Sequence, residues 1–260
     1  MNKIYYFLFF ATFISCSEHK ETGFEAFEKE DYAAAEYSFD QALQRDPNNP
    51  SHLYNLGLAQ EKQKKYEEAI KNYSSALMWD KLLLDARMGR ARCNAELERY
   101  KYAINDLTEY LEHRENDLEA LKLRGRCYLN NDDVYEADID LSIVLEEDPN
   151  NPGVNYLLGL AKARMGMFQS AEMLFNKAIM LDEEMEQAYH GIATVRYIKR
   201  DYEVALEYYK IAEEKGLEKN DLPIRMGMCY ARLNNPVAAC EEFKKIKEEK
   251  IREKLLKDHC

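Results

Sequence analysis

The chain has 260 residues, of which 46% are apolar and 32% charged, and its formal net charge is -12. This balance excludes a disordered chain, and ten glycines and six prolines are too few for an all-β fold built on tight turns. The acidity would repel a phosphate backbone, so no nucleic-acid partner is expected.

The first segment, "MNKIYYFLFFATFISCSEHK", differs from everything after it. Lys3 supplies a positive start, and Ile4 to Ile14 is apolar at ten of eleven positions. Eleven residues are about half of the roughly 20 that a bilayer-spanning helix needs, so the segment predicts a secretory signal over 1–15 and not a membrane span. The stretch "FISC" resembles the lipobox of bacterial lipoprotein signals, with Phe13 in place of the usual leucine. That resemblance implies cleavage after Ser15 and acylation of Cys16, with palmitate or similar chains anchoring the protein at the bacterial cell envelope. Ser17 stands where an aspartate often marks inner-membrane retention in such signals, which favours the outer membrane. Ordinary secretory cleavage, giving an unanchored protein, and a short apolar helix packed on the body are the alternatives.

From Cys16 onward the chain repeats every 34 residues. The pentapeptide "DPNNP" occurs at Asp46–Pro50 and Asp148–Pro152, three periods apart. With repeats starting at 16, 50, 84, 118, 152, 186 and 220, the twentieth position is alanine in all seven, from Ala35 and Ala69 to Ala239. The eighth position is Gly23, Gly57, Ala91, Gly125, Gly159, Ala193 or Gly227. The twenty-fourth is always large: Phe39, Tyr73, Leu107, Leu141, Phe175, Tyr209 or Phe243. Small residues at eight and twenty let two antiparallel helices approach, and the large residue fills the gap to the next hairpin. Aromatic residues recur at position seventeen (Tyr32, Tyr66, Tyr100, Phe168, Tyr202), where a second helix begins. Within "DPNNP", Asn49 or Asn151 caps a helix whose first residue is the second proline.

A hairpin of this kind cannot bury its apolar face alone and must stack on its neighbours. The pattern over 16–253 resembles the tetratricopeptide repeat (TPR) family. The resemblance implies an all-α fold, an α-solenoid wound as a right-handed superhelix of about seven hairpins. The charged sequence "AACEEFKKIKEEKIREKLLKDHC" predicts one long capping helix from about Val237, ending over 254–260.

Little in the sequence suggests chemistry. The five histidines are scattered, and there is no nucleophile elbow, phosphate-cradling glycine loop or C-x-x-C pair. The acidic run "NDDVYEADID" lacks the glycine and terminal glutamate of a calcium loop. No catalytic residue, metal or cofactor is expected. Cys93, Cys127 and Cys229 share position ten and serve as small apolar residues. Five cysteines remain beside Cys16, an odd number that does not suggest a disulfide framework, and the roles of Cys240 and Cys260 stay open. Arg90 and Arg124 occupy position seven only in the two repeats that carry aspartate at position twenty-three, which predicts structural ion pairs Arg90–Asp106 and Arg124–Asp140.

In the TPR family the first helices line a concave groove through positions two, five, nine, twelve and thirteen. Applied here, the resemblance places Met88, Arg92, Lys122, Arg126, Tyr156, Leu160 and Arg164 in that groove. This basic patch with apolar neighbours suits an acidic or C-terminal peptide, or else it is a solvated face neutralised by Asp85, Glu96 and Glu119. The carboxylate clamp of chaperone-binding members is absent, since Phe24, Asp85 and Gly89 stand at clamp positions. The function expected is a non-catalytic, membrane-anchored scaffold for protein or peptide partners. The alternatives are a secreted binding module, or a regulatory subunit of a cell-wall hydrolase, a protease or a secretion or pilus assembly.

Overall fold

A computed structural model describes residues 22–217 and 221–260. The signal segment, Cys16 and the expected seventh repeat start at Asn220 lie outside the described residues. Among the described residues there are helices and no strands. Residues 22–28 form α1, followed by α2 (Tyr32–Arg45), α3 (Pro50–Lys62), α4 (Tyr66–Trp79), α5 (Leu84–Glu96), α6 (Tyr100–Leu111) and α7 (Leu118–Asn130). Then come α8 (Val134–Glu147), α9 (Pro152–Arg164), α10 (Phe168–Leu181), α11 (Glu186–Ile198), α12 (Tyr202–Glu214), α13 (Leu222–Arg232), α14 (Pro236–Lys244) and α15 (Glu249–His259). The second helix of every repeat starts at position seventeen, and α3, α5, α7, α9 and α11 start at position one. The chain is an all-α TPR solenoid. It divides into two compact units, one ending at Asn131 and the other beginning at Asp132.

The helix starts follow from local chemistry. The Asn49 side chain accepts the Ser51 and His52 amides at 3.0 and 3.2 Å, and Asn151 accepts that of Val154 at 3.1 Å. Pro50 and Pro152 sit at the first helical position, where the missing N–H costs nothing. Each asparagine also donates to the aspartate three residues back, Asp46 or Asp148, so the pentapeptide closes on itself.

The turn inside each hairpin has a feature the sequence does not advertise. Position fifteen has a positive φ in every repeat: Glu30, Lys64, Glu98, Asp132, Gly166, Arg200 and Asn234. Only one of the seven is glycine. The amide of the next residue closes back on the carbonyl five residues earlier, as in Lys65 to Gln60 at 2.9 Å and Arg99 to Asn94 at 2.8 Å. This is the Schellman ending, which satisfies carbonyls that a helix end leaves open.

Packing explains the small positions. A Cβ on Gly57 would lie 3.0 Å from the Tyr73 ring, and one on Gly89 would lie 2.5 Å from Tyr73 Cζ. Tyr73 therefore wedges between its own hairpin and the next. In the second unit Phe175 does the same between Gly159 and Gly191, where added Cβ atoms would sit 2.7 and 2.8 Å from the ring. Both rings are fully buried, which contributes about 2–3 kcal/mol each. Within each unit the first helices of successive repeats touch one another, α3 with α5, α5 with α7, and α9 with α11.

The C-terminal expectation is corrected. Instead of one helix from Val237, the chain runs as α14, breaks over 245–248, and returns as α15. A continuous helix would hold Cys240 and Cys260 about 30 Å apart; their Cα atoms are 5.9 Å apart, and the two form a disulfide. The break lets Ile246 turn inward, buried against Phe243, with Ile251, Leu255 and Leu256 of α15 covering the same cluster. Apolar burial outweighs helix propensity there. The odd cysteine count was a poor guide because one bridge needs only two of them, and Cys93, Cys127 and Cys229 remain free and buried.

Candidate partner-binding faces

In the first unit the expected groove residues fall on α5 and α7. Arg92 does not point at an open face with its charge unspent. Its Nε and Nη2 hold both Glu61 oxygens, at 2.6 and 3.0 Å, and the buried Tyr73 hydroxyl donates to the same carboxylate at 2.6 Å. Burial, with Glu61 alongside, pushes the Tyr73 hydroxyl far up from its ordinary pKa. Lys122 pairs with Glu119 at 2.5 Å, and Arg126 reaches Glu96 at 3.4 Å. Met88 is half-buried. A basic patch read from the sequence is thus a surface of compensated ion pairs, and Glu61, one repeat earlier, is the member the sequence reading missed. Position twelve of one repeat meeting position nine of the next is the signal that would have found it.

The same unit holds Arg90 with Asp106. Arg90 Nε donates to Asp106 Oδ2 at 2.9 Å and Nη2 to Oδ1 at 2.6 Å, while Nη1 donates to Ser74 Oγ at 3.1 Å. Asp106 is buried. Arg124 donates to Thr108 Oγ1 at 3.3 Å and lies over the Tyr128 ring; Asp140, its expected partner, belongs to the second unit and is buried there. Ser74 and Thr108 share position twenty-five, so an arginine at position seven draws a hydroxyl from the preceding repeat. Beside Arg90 and Asp106 lies an open notch of about 470 Å³, lined also by Ile70, Ser74, Asn94, Arg99, Tyr102 and Asn105. Its two arginines are already held, Arg90 by Asp106 and Arg99 by Glu67, so the notch offers hydrogen bonds more than charge.

In the second unit the groove positions of α9 are apolar apart from Arg164, while α11 mixes Gln187, His190 and Thr194 with Tyr197 and Ile198. Tyr156 and Leu160 on α9 are half-buried, and their side chains pack on the cluster around Phe175 and Ile192. On α11, Tyr197 is half-buried and Ile198 exposed. Arg164 lies 3.8 Å from Asp132. The expected patch therefore divides between the units, with Met88, Arg92, Lys122 and Arg126 in the first and Tyr156, Leu160 and Arg164 in the second.

No group of three or more metal-ligating side chains occurs among the described residues, and no described helix is long and apolar enough to cross a membrane. The free thiols are unsuited to nucleophilic work, since burial pushes Cys93 and Cys229 up to about 12 and Cys127 up to about 11.

TPR family models match residues 23–81 and 152–185. The chain is 26% identical over 214 residues to superkiller protein 3 of Schizosaccharomyces pombe, covering 78% of this chain and 15% of that protein. It spans less than a fifth of the length of the first curated relatives it matches. Among solved structures, a TPR protein from Parabacteroides merdae superposes with a TM-score of 0.72 at 24% identity, covering 94% of this chain and 98% of that one. YrrB, described as a TPR protein with an unusual peptide-binding site, superposes with a TM-score of 0.59 at 20% identity over 68% of this chain and 92% of its own. At these identities the structural likeness defines the fold alone.

Proposed function

We propose that this chain is a non-catalytic scaffold that captures a protein or peptide partner, and that lipid on Cys16 holds it at a bacterial envelope membrane. The observation that carries the binding reading is the row Tyr156, Leu160, Tyr197 and Ile198, which leaves apolar surface open on the first helices of the second unit. At position nine, where α9 has Leu160, α5 and α7 of the first unit hold Arg92 and Arg126, which already have carboxylates. The second unit thus supplies apolar contacts for capture; in the first unit, taken by itself, a carboxylate engages Arg92 only by competing with Glu61. YrrB, with its peptide-binding site, lends support by analogy. The Cys240–Cys260 bridge supports an oxidising compartment, since cytosolic thiols are kept reduced. The lipobox-like "FISC" supports the anchor.

The test has two arms. Growth with a fatty-acid analogue should label the wild-type chain and leave Cys16→Ser unlabelled; label surviving on Cys16→Ser removes the anchor. Crosslinking and pull-down from native membranes should lose a specific partner with Leu160→Glu/Ile198→Glu and weaken with Arg92→Glu/Arg126→Glu. Unchanged capture by both variants removes the inner-face assignment.

A further inference from the structure

Helix α8 is apolar on two faces. One is buried through Ala137, Leu141 and Val144, as a second helix of a repeat requires. The other carries Tyr135, Ile139 and Ile143, spaced four apart, with 67%, 61% and 40% of their surface exposed. The spacing aligns them along about 12 Å of the helix. One repeat on, Met173 of α10 holds the same repeat position as Ile139 and is 68% exposed. Exposed single hydrophobes need no explanation, but an aligned row does.

Along α8 and its flanking turns the charge is one-sided, whereas Lys177 lies four residues from Met173 on α10. From residue 127 to 161 there is no lysine, arginine or histidine, against eight carboxylates: Asp132, Asp133, Glu136, Asp138, Asp140, Glu146, Glu147 and Asp148. Lys162 reaches Asp138 at 2.7 Å and Arg164 lies 3.8 Å from Asp132. Glu136, Glu146 and Glu147 remain exposed, three or four residues from members of the apolar row.

We propose that the exposed face of α8 is a docking site for a basic amphipathic helix of a partner protein, with an apolar stripe seated on Tyr135, Ile139, Ile143 and Met173 and lysines or arginines beside Glu136, Glu146 and Glu147. Charge selects this occupant over the others. Anionic lipid headgroups are repelled by the same carboxylates. A second copy of the chain docked face to face would bring its own acidic rim against this one. A basic helix satisfies both the apolar row and the rim, which is the groove-and-anchor mode of helix recognition. The site lies on second helices and is separate from the inner positions of the first helices.

The test uses the full chain and two synthetic 18-residue helical peptides that share one leucine stripe, one with lysine flanks and one with glutamate flanks. Fluorescence anisotropy should show the lysine peptide binding, with affinity falling as salt rises, and the glutamate peptide failing to bind. Ile139→Ser/Ile143→Ser should weaken binding at least tenfold, and so should Glu146→Lys/Glu147→Lys, while Met78→Ser in the first unit changes nothing. Circular dichroism melts should match wild type for all variants, because the altered side chains are exposed. A photo-crosslinker on the peptide should attach within α8 or α10. Equal binding to wild type and the serine variant, equal binding of both peptides, or crosslinks confined to other helices overturns the proposal. So does concentration-dependent dimerisation of the chain that the serine variant abolishes, because a second copy would then own the face.

Discussion

Helices α5 and α9 are the first helices of two repeats built on one backbone plan, and they solve the same packing task with opposite chemistry. At positions four, seven and nine, α5 carries Arg87, Arg90 and Arg92, where α9 carries Asn155, Leu158 and Leu160. The α5 arginines require Glu109, Asp106 and Glu61 as dedicated partners. The α9 leucines need only apolar neighbours. A 34-residue hairpin thus fixes positions and volumes while leaving polarity to be decided locally, provided every charge brought in has a carboxylate waiting. The consequence for binding is direct, because α5 presents a surface of satisfied ions and α9 presents apolar area still available.

What the two units share should break hardest. Tyr73→Ala and Phe175→Ala each remove the wedge between hairpins, and urea unfolding should show losses of about 3–5 kcal/mol in both units. A much smaller loss for one of them would show that its gap is filled some other way. Next in size, Asp106→Ala should cost about 3 kcal/mol by stranding Arg90 beside buried surface. Arg90→Leu/Asp106→Leu transplants the α9 solution, which has Leu158 and Leu174 at those positions, and should recover stability to within about 1 kcal/mol of wild type. If the double variant stays as unstable as Asp106→Ala, the two chemistries are not interchangeable and the comparison fails. Cys240→Ser should cost about 3 kcal/mol, because the bridge restricts the unfolded chain, and the loss is read as a lower melting temperature under non-reducing conditions.

A subtler difference concerns thiols. Because burial raises the Cys93, Cys127 and Cys229 thiols, iodoacetamide at pH 8 should leave all three unmodified in the folded protein, as mapped by peptide mass spectrometry. Rapid alkylation of Cys93 alone would mean that the charged repeat opens more readily than its burial implies. The smallest effect is expected at the hairpin turns, where Gly166 in the second unit has non-glycine counterparts elsewhere. Glu98→Gly should change stability by less than about 1 kcal/mol, since relief at positive φ is offset by added freedom in the unfolded chain.

That last case shows where the sequence was readable and where it was not. Helix starts at positions one and seventeen could be read because seven copies of a small-and-large pattern average out local noise. The Arg90–Asp106 pairing could be read because arginine and aspartate appear together in the same repeats. The left-handed turn at position fifteen could not, because Glu30, Lys64, Glu98 and Arg200 are not residues that favour it. Stacking of the two flanking helices imposes that backbone, and the local preference yields. Glu61 was hidden for a related reason, since its partner Arg92 lies 31 residues away in the next repeat. The break before α15 was hidden because the sequence there contains no glycine or proline, and only the burial of Ile246 reveals it.

The Cys240–Cys260 bridge also has a mechanical meaning. The two residues are 20 apart in sequence, so the end of α14, the turn after it and α15 form a covalently closed loop. Tension applied to the chain at Cys260 passes through the sulfur atoms into α14 and bypasses that loop. In a pulling experiment the first extension should therefore begin at α14 under oxidising conditions. With a reductant present, α15 should peel away first and at lower force.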